Sequence, residues 1–219
     1  ALAMRLSAHV NGVSREHGRV SRQMWQHLWP GLAQDLVPIR SLTNGIHAPT
    51  WISPESNSLY AKYLSPDWAE RVDDPTIWQR VTDLPDDALW AVRQTTRRKL
   101  MRFIRERARD GWIRGHLQPM QAIARGTLLD PEALTIGFAR RFATYKRATL
   151  LFRDLDRLKQ LLHNRWRPVQ IVFAGKAHPA DEPGRYFIHE VLSFCNDHKL
   201  GGHVAFLEDY DMHMAKYLV

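Results

Sequence analysis

The sequence predicts an α/β protein: a partial, doubly wound parallel sheet preceded by a mainly helical segment. Two observations carry this reading. After Gly111, three short apolar runs alternate with stretches of helical period. That order calls for parallel strands joined by right-handed crossovers, with helices on both faces. Before Gly111 there is no such alternation, only helical spacing interrupted by proline-rich turns. The expected division is a helical segment over 1–116 and an incomplete βαβαβ domain over 117–219.

The elements follow in order. Val13, His17, Val20, Met24 and Leu28 recur at spacings of three and four, one side of a helix from Ser14 that Pro30-Gly31 ends. Residues Thr43 to Asp74 hold Asn44-Gly45, Pro49, Pro54 and Pro66, so turns and short helical pieces are expected. Trp51, Trp68 and Trp78 mark this stretch as packed against something. From Asp86 to Asp110 a long amphipathic helix turns Leu89, Val92, Thr96, Leu100, Phe103 and Ile104 inward and a row of arginines outward. Leu134 to Ala139 reads as a buried strand. Thr144 to Leu162 reads as a helix with Leu151, Leu155, Leu158 and Leu162 inward. Val169 to Ala174 is a second strand, Gly184 to Cys195 a second helix and His203 to Leu207 a third strand.

A chain of 219 residues, 44% hydrophobic, is long enough to bury a real core. Its net charge of +8 comes from 31 Lys and Arg against 23 Asp and Glu. Such an excess suits polyanions, phosphorylated metabolites or an acidic partner domain. The single cysteine, Cys195, excludes an intrachain disulfide framework and reads as a buried structural thiol. No stretch has the length of a transmembrane helix and no signal peptide opens the chain, so a cytoplasmic protein is expected. Both ends read as cut rather than capped.

The chemistry concentrates at the ends of the three predicted strands. Arg140, Arg141 and Lys146 crowd the end of the first, where a helix starting near Ala143 would add free N–H groups for an anion. Gly175-Lys176-Ala177-His178 follows the second strand, and Glu208-Asp209-Tyr210-Asp211 the third. In a parallel sheet these ends share one rim, where open α/β sheets bind ligands. No dinucleotide fingerprint, P-loop or nucleophile elbow is present. His9, His17, His27, His47 and His178 lack metal-ligand spacing, so no metal is expected. The basic helix at 86–110 lacks an aromatic and basic repeat, so neither nucleic acid nor membrane is an expected partner.

Four blocks give the chain a family resemblance. They are Val10-Asn11-Gly12-Val13-Ser14 with His17; Thr43-Asn44-Gly45-Ile46 with Trp51; Arg141 to Arg147; and Gly175-Lys176-Ala177 with Phe206-Leu207-Glu208-Asp209-Tyr210. In this order the sequence resembles the α-glucan (glycogen or maltodextrin) phosphorylases, notably their divergent bacterial branch. The resemblance implies a two-lobed GT-B glycosyltransferase architecture of Rossmann-like lobes with pyridoxal 5'-phosphate between them. It also implies transfer of a glucosyl unit from the non-reducing end of an α-1,4-glucan to orthophosphate, giving glucose 1-phosphate with retention.

By the same resemblance Arg141 and Lys146 are catalytic, holding the substrate and cofactor phosphates close together. Tyr145, His9 and Asn44 contact the sugar; Arg140, Tyr210 and Trp51 line the cofactor side. Two departures stand out. The family's histidine three residues before the first asparagine is replaced by Ala8, with His9 one position later. Asp211 stands where well-known members carry arginine. The resemblance further implies that this chain is an internal fragment. The aldimine lysine and a glycine-rich cofactor loop would fall beyond Val219, leaving the isolated chain inactive and prone to self-association through exposed lobe surface. The rival readings are a nucleotide-sugar-dependent glucan synthase of the same architecture and a basic nucleic-acid-binding domain.

Overall fold

The computed structural model describes residues 1–115, 118–197, 200 and 202–219. The expected boundary at residues 116–117 therefore falls outside the described residues. The chain divides into two compact units, Ala1–Ala48 and Pro49–Val219.

In the first unit, helix α1 (Leu2–Leu6) precedes strand β1 (Asn11–Gly12), helix α2 (Arg15–Trp25) and strand β2 (Arg40–Ser41). The two strands are parallel, with Asn11 opposite Arg40 and Gly12 opposite Ser41. Helix α2 starts as the sequence predicts. The Ser14 hydroxyl accepts the His17 amide at 3.0 Å, and His17 Nδ1 accepts the Val13 amide at 3.1 Å. This reciprocal cap satisfies a free N–H of the first turn and gives His17 a structural task.

The packing differs from the predicted stripe. Val13 and Met24 are exposed, while Gly18 is buried. The cause is a close backbone approach. A Cβ on Gly12 would lie 2.5 Å from the Gly18 nitrogen, and one on Gly18 would lie 2.0 Å from Ser41 Oγ. Only hydrogens allow α2 to cross its strands at this distance.

In the second unit, α3 (Ala48–Trp51, beginning at the boundary residue), α4 (Pro54–Tyr63) and α5 (Pro75–Gln79) lead into the 28-residue α6 (Asp86–Ile113). Ser53 and Asp74 cap α4 and α5 through side-chain oxygens, with proline in the first turn of each. Two of the three expected tryptophans form a cluster. Trp68 and Trp78 meet edge-on with ring centroids 6.1 Å apart, and Tyr60 packs against both. The Trp68 indole N–H finds Asn57 Oδ1 at 3.1 Å, so its burial leaves no donor unpaired.

Next come α7 (Pro119–Ala124), β3 (Leu134–Ala139), α8 (Leu155–Leu162), β4 (Val169–Ala174), α9 (Glu182–Cys195), β5 (Val204–Leu207) and α10 (Met212–Leu218). The sheet order is β3-β4-β5 and all pairs are parallel, as the alternation predicts. One core joins Ile171, Phe173, Val204 and Phe206 to Phe152, Leu158 and Leu162 and to Val191 and Cys195 of α9. The other joins Val172, Ala174, Ala205 and Leu207 to Leu100, Met101 and Ile104 of α6 and Met214 of α10. Helices thus cover both faces. Burial pushes the Cys195 thiol up to about 12, which keeps it protonated and unreactive.

Three expectations are corrected. Strand β3 is not buried: it is the edge of the described sheet, and Leu134 and Ile136 are exposed. Thr144 to Leu162 is not one helix. Short 3-10 turns at Thr144–Lys146 and Ala148–Arg153 flank Arg147, whose left-handed backbone (φ 54°) stops any α-helix there. The tighter turn brings Phe152 into the core and leaves Leu151 exposed. In α6 the inner line is Leu100, Met101, Ile104 and Ala108, while Leu89 near the start is exposed. Among the described residues, no helix is long and apolar enough to cross a membrane.

Candidate functional site

The site is assembled where the strands end. Beyond β3 and β4 the backbones stay paired: the Arg140 amide donates to Ala174 O at 3.1 Å and the Phe142 amide to Lys176 O at 3.0 Å. This brings the Arg140-Arg141 and Gly175-Lys176 segments side by side. Gly175 makes the approach possible, because a Cβ there would lie 2.0 Å from Arg140 O and 2.9 Å from the Phe142 ring. Phe142 itself is fully buried among Phe138, Phe173 and Phe206, anchoring the block between its exposed neighbours Arg141 and Thr144.

Arg140 and Arg141 are exposed, and neither forms an ion pair among the described residues. Lys146 is half-buried, its ammonium 4.5 Å from the centre of the exposed Tyr145 ring. That cation–π contact restricts a side chain that would otherwise sweep freely. The expected helix start at Ala143 is absent, since the turn after it is a 3-10 turn of three residues. Anion attraction here rests on side-chain charge, not on a helix end. Unpaired cations beside a closely approaching backbone fit a phosphate-bearing group.

The end of β5 is tied down by charges that sequence spacing did not single out. Arg125 reaches Glu208 at 2.6 Å, and Arg107 reaches the Glu208 carbonyl at 3.3 Å and Asp209 at 3.6 Å. Asp209 is left-handed (φ 56°), a bend these ties hold in place. Tyr210 then packs, half-buried, against the α6-side core. The Asp211 carboxylate accepts the Met214 amide at 2.8 Å; that bond, then the charges of Arg107, His213 and Lys176, holds it below the usual range. The only available signal for Arg107 and Arg125 was their positive charge, which on a basic chain separates nothing.

The other predicted residues each have surroundings of their own. His178 Nδ1 accepts the Ala180 amide at 3.1 Å, a local structural role. Trp51 lines a cavity of about 850 Å³ with Tyr60, Phe103, His213 and Tyr217, and neither Arg140 nor Tyr210 contributes to its lining. His9 and Asn44 belong to the first compact unit. There the Arg40 amide donates to Val10 O at 2.9 Å and the Asn44 amide to Val13 O at 3.1 Å, so the two asparagine-glycine blocks are neighbours along one strand pair. Among the described residues, no group of three or more His, Cys, Asp or Glu side chains could hold a metal ion.

No protein-family profile matches the chain. Individual relatives do. Glycogen phosphorylase from Aquifex aeolicus (strain VF5) is 41% identical over 218 residues, covering 100% of this chain and 31% of that protein. Glycogen phosphorylase from Mycobacterium tuberculosis (strain ATCC 25618 / H37Rv) is 42% identical over 99% of this chain and 25% of its own length. Maltodextrin phosphorylase from Thermococcus litoralis is 38% identical over 100% of this chain and 26% of its own. The chain therefore spans about a quarter to a third of the length of the curated relatives it matches. From end to end, its sequence is similar to one segment of glycogen and maltodextrin phosphorylases.

Proposed function

We propose that the protein carrying this sequence is an α-1,4-glucan phosphorylase, and that this chain supplies the phosphate-handling end of its catalytic cleft. One observation carries the reading. The Arg-x-x-x-Tyr-Lys-Arg block leaves the carboxyl end of β3 and runs, hydrogen-bonded, beside Gly175-Lys176 at the end of β4. The overall reaction is balanced without any redox partner. The bond from glucosyl C1 to the glucan O4 breaks, a bond from C1 to a phosphate oxygen forms, and the proton of hydrogenphosphate passes to O4.

In this reading Arg141 offers orthophosphate a planar fork and Lys146 a point charge. Together they hold the attacking oxygen near C1 while its proton is aimed at the departing oxygen. Arg140 holds the phosphate of pyridoxal 5'-phosphate. That cofactor, when bound, supplies a second phosphate as a proton partner beside the first. Two phosphates repel unless cations separate and flank them, and Arg140, Arg141, Lys146 and Lys176 are the available cations. Tyr210 and Trp51 serve the cofactor side, and Tyr145, His9 and Asn44 the sugar. The polypeptide works in the cytoplasm on α-1,4-glucan, orthophosphate and glucose 1-phosphate, within a two-lobed GT-B enzyme.

The test is phosphorolysis of maltodextrin by the whole protein that carries this sequence, supplied with pyridoxal 5'-phosphate; the 219-residue chain by itself is expected to be inactive. Glucose 1-phosphate should appear only with orthophosphate. Arg141→Ala and Lys146→Ala should each lower kcat/KM by about 100-fold or more, with circular dichroism unchanged. Glucan extension from a nucleotide sugar, with no need for orthophosphate, would assign the site to a synthase instead.

A further inference from the structure

We infer that Arg125 and Arg107 are positioning residues for the phosphate rim: by holding Glu208 and Asp209 at the end of β5, they keep two carboxylates from neutralising the cations that take phosphate. The inference rests on the phosphate-handling role proposed for the rim, and adds the residues that keep it charged.

Strand register brings the opposing charges to one level. Ala139 pairs with Ala174 and Ala174 with Leu207, so Arg140, Gly175 and Glu208 directly follow the three strands. Arg141, Lys176 and Asp209 come next in each. Neighbouring strands stand about 5 Å apart, a gap that long charged side chains bridge. Left free, Glu208 and Asp209 would be counter-ions for Lys176 and Arg140. Yet among the described residues no ion pair joins Arg140, Arg141, Lys146 or Lys176 to any carboxylate.

The carboxylates are engaged from other elements instead. Arg125, the residue after α7, reaches Glu208 Oε2 at 2.6 Å. Arg107 of α6 reaches Asp209 at 3.6 Å and the Glu208 carbonyl at 3.3 Å, gripping the left-handed bend on both sides. Asp211 accepts the Met214 amide at 2.8 Å. On the other flank a Cβ on Gly184 of α9 would lie 2.5 Å from Phe142 O. There Asp181 accepts the Gly184 amide at 2.9 Å, and Glu182 faces Arg185 at 3.5 Å.

Arg107 and Arg125 are not placed to take the anion themselves. The cavity between them, walled by Ile104, Ala108, Phe206 and Leu207, holds about 40 Å³, room for one water. Asp211 links this clamp to the rim. After its bond to the Met214 amide, the charges of Arg107, His213 and Lys176 hold its carboxyl low, so clamp and rim share one electrostatic neighbourhood.

Titration calorimetry with orthophosphate, on the whole protein that carries this sequence, tests this apart from turnover. Arg125→Gln should weaken orthophosphate about tenfold, the effect of one unit charge about 10 Å away in partly wet protein. Adding Glu208→Gln should restore the parental affinity although the ion pair is still absent. Arg125→Lys, which keeps the charge, should stay close to the parent. The deficit of Arg125→Gln should shrink as ionic strength rises, which a loss of shape would not do. In phosphorolysis the KM for orthophosphate should rise by the same factor while kcat holds. Should Arg125→Gln not fold, Arg107→Gln with and without Asp209→Asn must show the same loss and recovery. Unchanged affinity in Arg125→Gln, or a loss that neither Glu208→Gln nor salt relieves, would overturn the proposal. Arg141→Ala separates the two readings. If it leaves orthophosphate binding intact, the rim reading fails and the clamp with it; if it weakens binding while Arg125→Gln does not, only the clamp fails.

Discussion

At Gly175, a single missing side chain sets the path of the chain between two strand ends. A methyl group would stand 2.0 Å from Arg140 O, against backbone that cannot swing aside. Gly175→Ala must therefore separate Arg140 from Lys176, and should cost about 2 kcal/mol or more in urea unfolding along with orthophosphate affinity. Stability within about 0.5 kcal/mol of the parent would show the approach to be looser than described. His203 makes a different kind of statement. Burial, and then the charge of His163 at a ring-centroid distance of 5.3 Å, lowers its pKa from 6.5. The folded state therefore favours the neutral ring. Its contribution is present above the ordinary histidine value and is lost as pH falls from 6.5 through the lowered one. Melting temperature should drop across that window, and His203→Gln should flatten the slope. An unchanged slope in the variant would place the acid sensitivity elsewhere. Gln170 illustrates a residue whose role composition hides: buried in β4, its side chain accepts the Asp130 amide and donates to Asp130 O and Thr135 Oγ1, each at 2.8 Å. Read from sequence, it was one polar position in an apolar strand.

Among the elements, α6 shows how far periodicity reaches. Its length and arginine-rich outer face were legible, yet the buried line begins only at Leu100, where the helix meets the sheet. The earlier apolar positions satisfy the same spacing without a sheet beneath them. Ile104→Ala should accordingly cost about 2–4 kcal/mol, whereas Leu89→Ala should fall within about 1 kcal/mol of the parent. Equal costs in chemical denaturation would contradict this division of the helix. The segment after β3 is the opposite case. Ala143-Thr144-Tyr145-Lys146-Arg147 has helical composition, and nothing in it announces the left-handed Arg147 that breaks it into 3-10 turns. The long apolar strands β4 and β5 were readable because burial on both faces demands continuous apolar runs. The two-residue strands β1 and β2 were not, having too few positions to display a period.

For the whole molecule, the parallel pairing of the strands followed from strand and helix alternation, whereas their β3-β4-β5 order in the sheet comes from the structure. The position of the cationic block at a strand end was legible for the same reason. Its local geometry was not: the contact of Lys146 with the neighbouring Tyr145 ring depends on the 3-10 turn that replaces the expected helix, and the Arg107 and Arg125 ties to Glu208 and Asp209 join segments distant in sequence. The parallel pairing also explains why the Arg140-Arg141 and Gly175-Lys176 segments, far apart in sequence, end side by side. The most direct test is a crystal structure of the protein with glucose 1-phosphate bound. A single phosphate contacted by both the Arg141 guanidinium and the Lys146 ammonium, at about 3 Å and beside Gly175-Lys176, is the predicted result. A phosphate bound away from the strand ends, with Arg141 and Lys146 turned to opposite sides of the sheet, would contradict it.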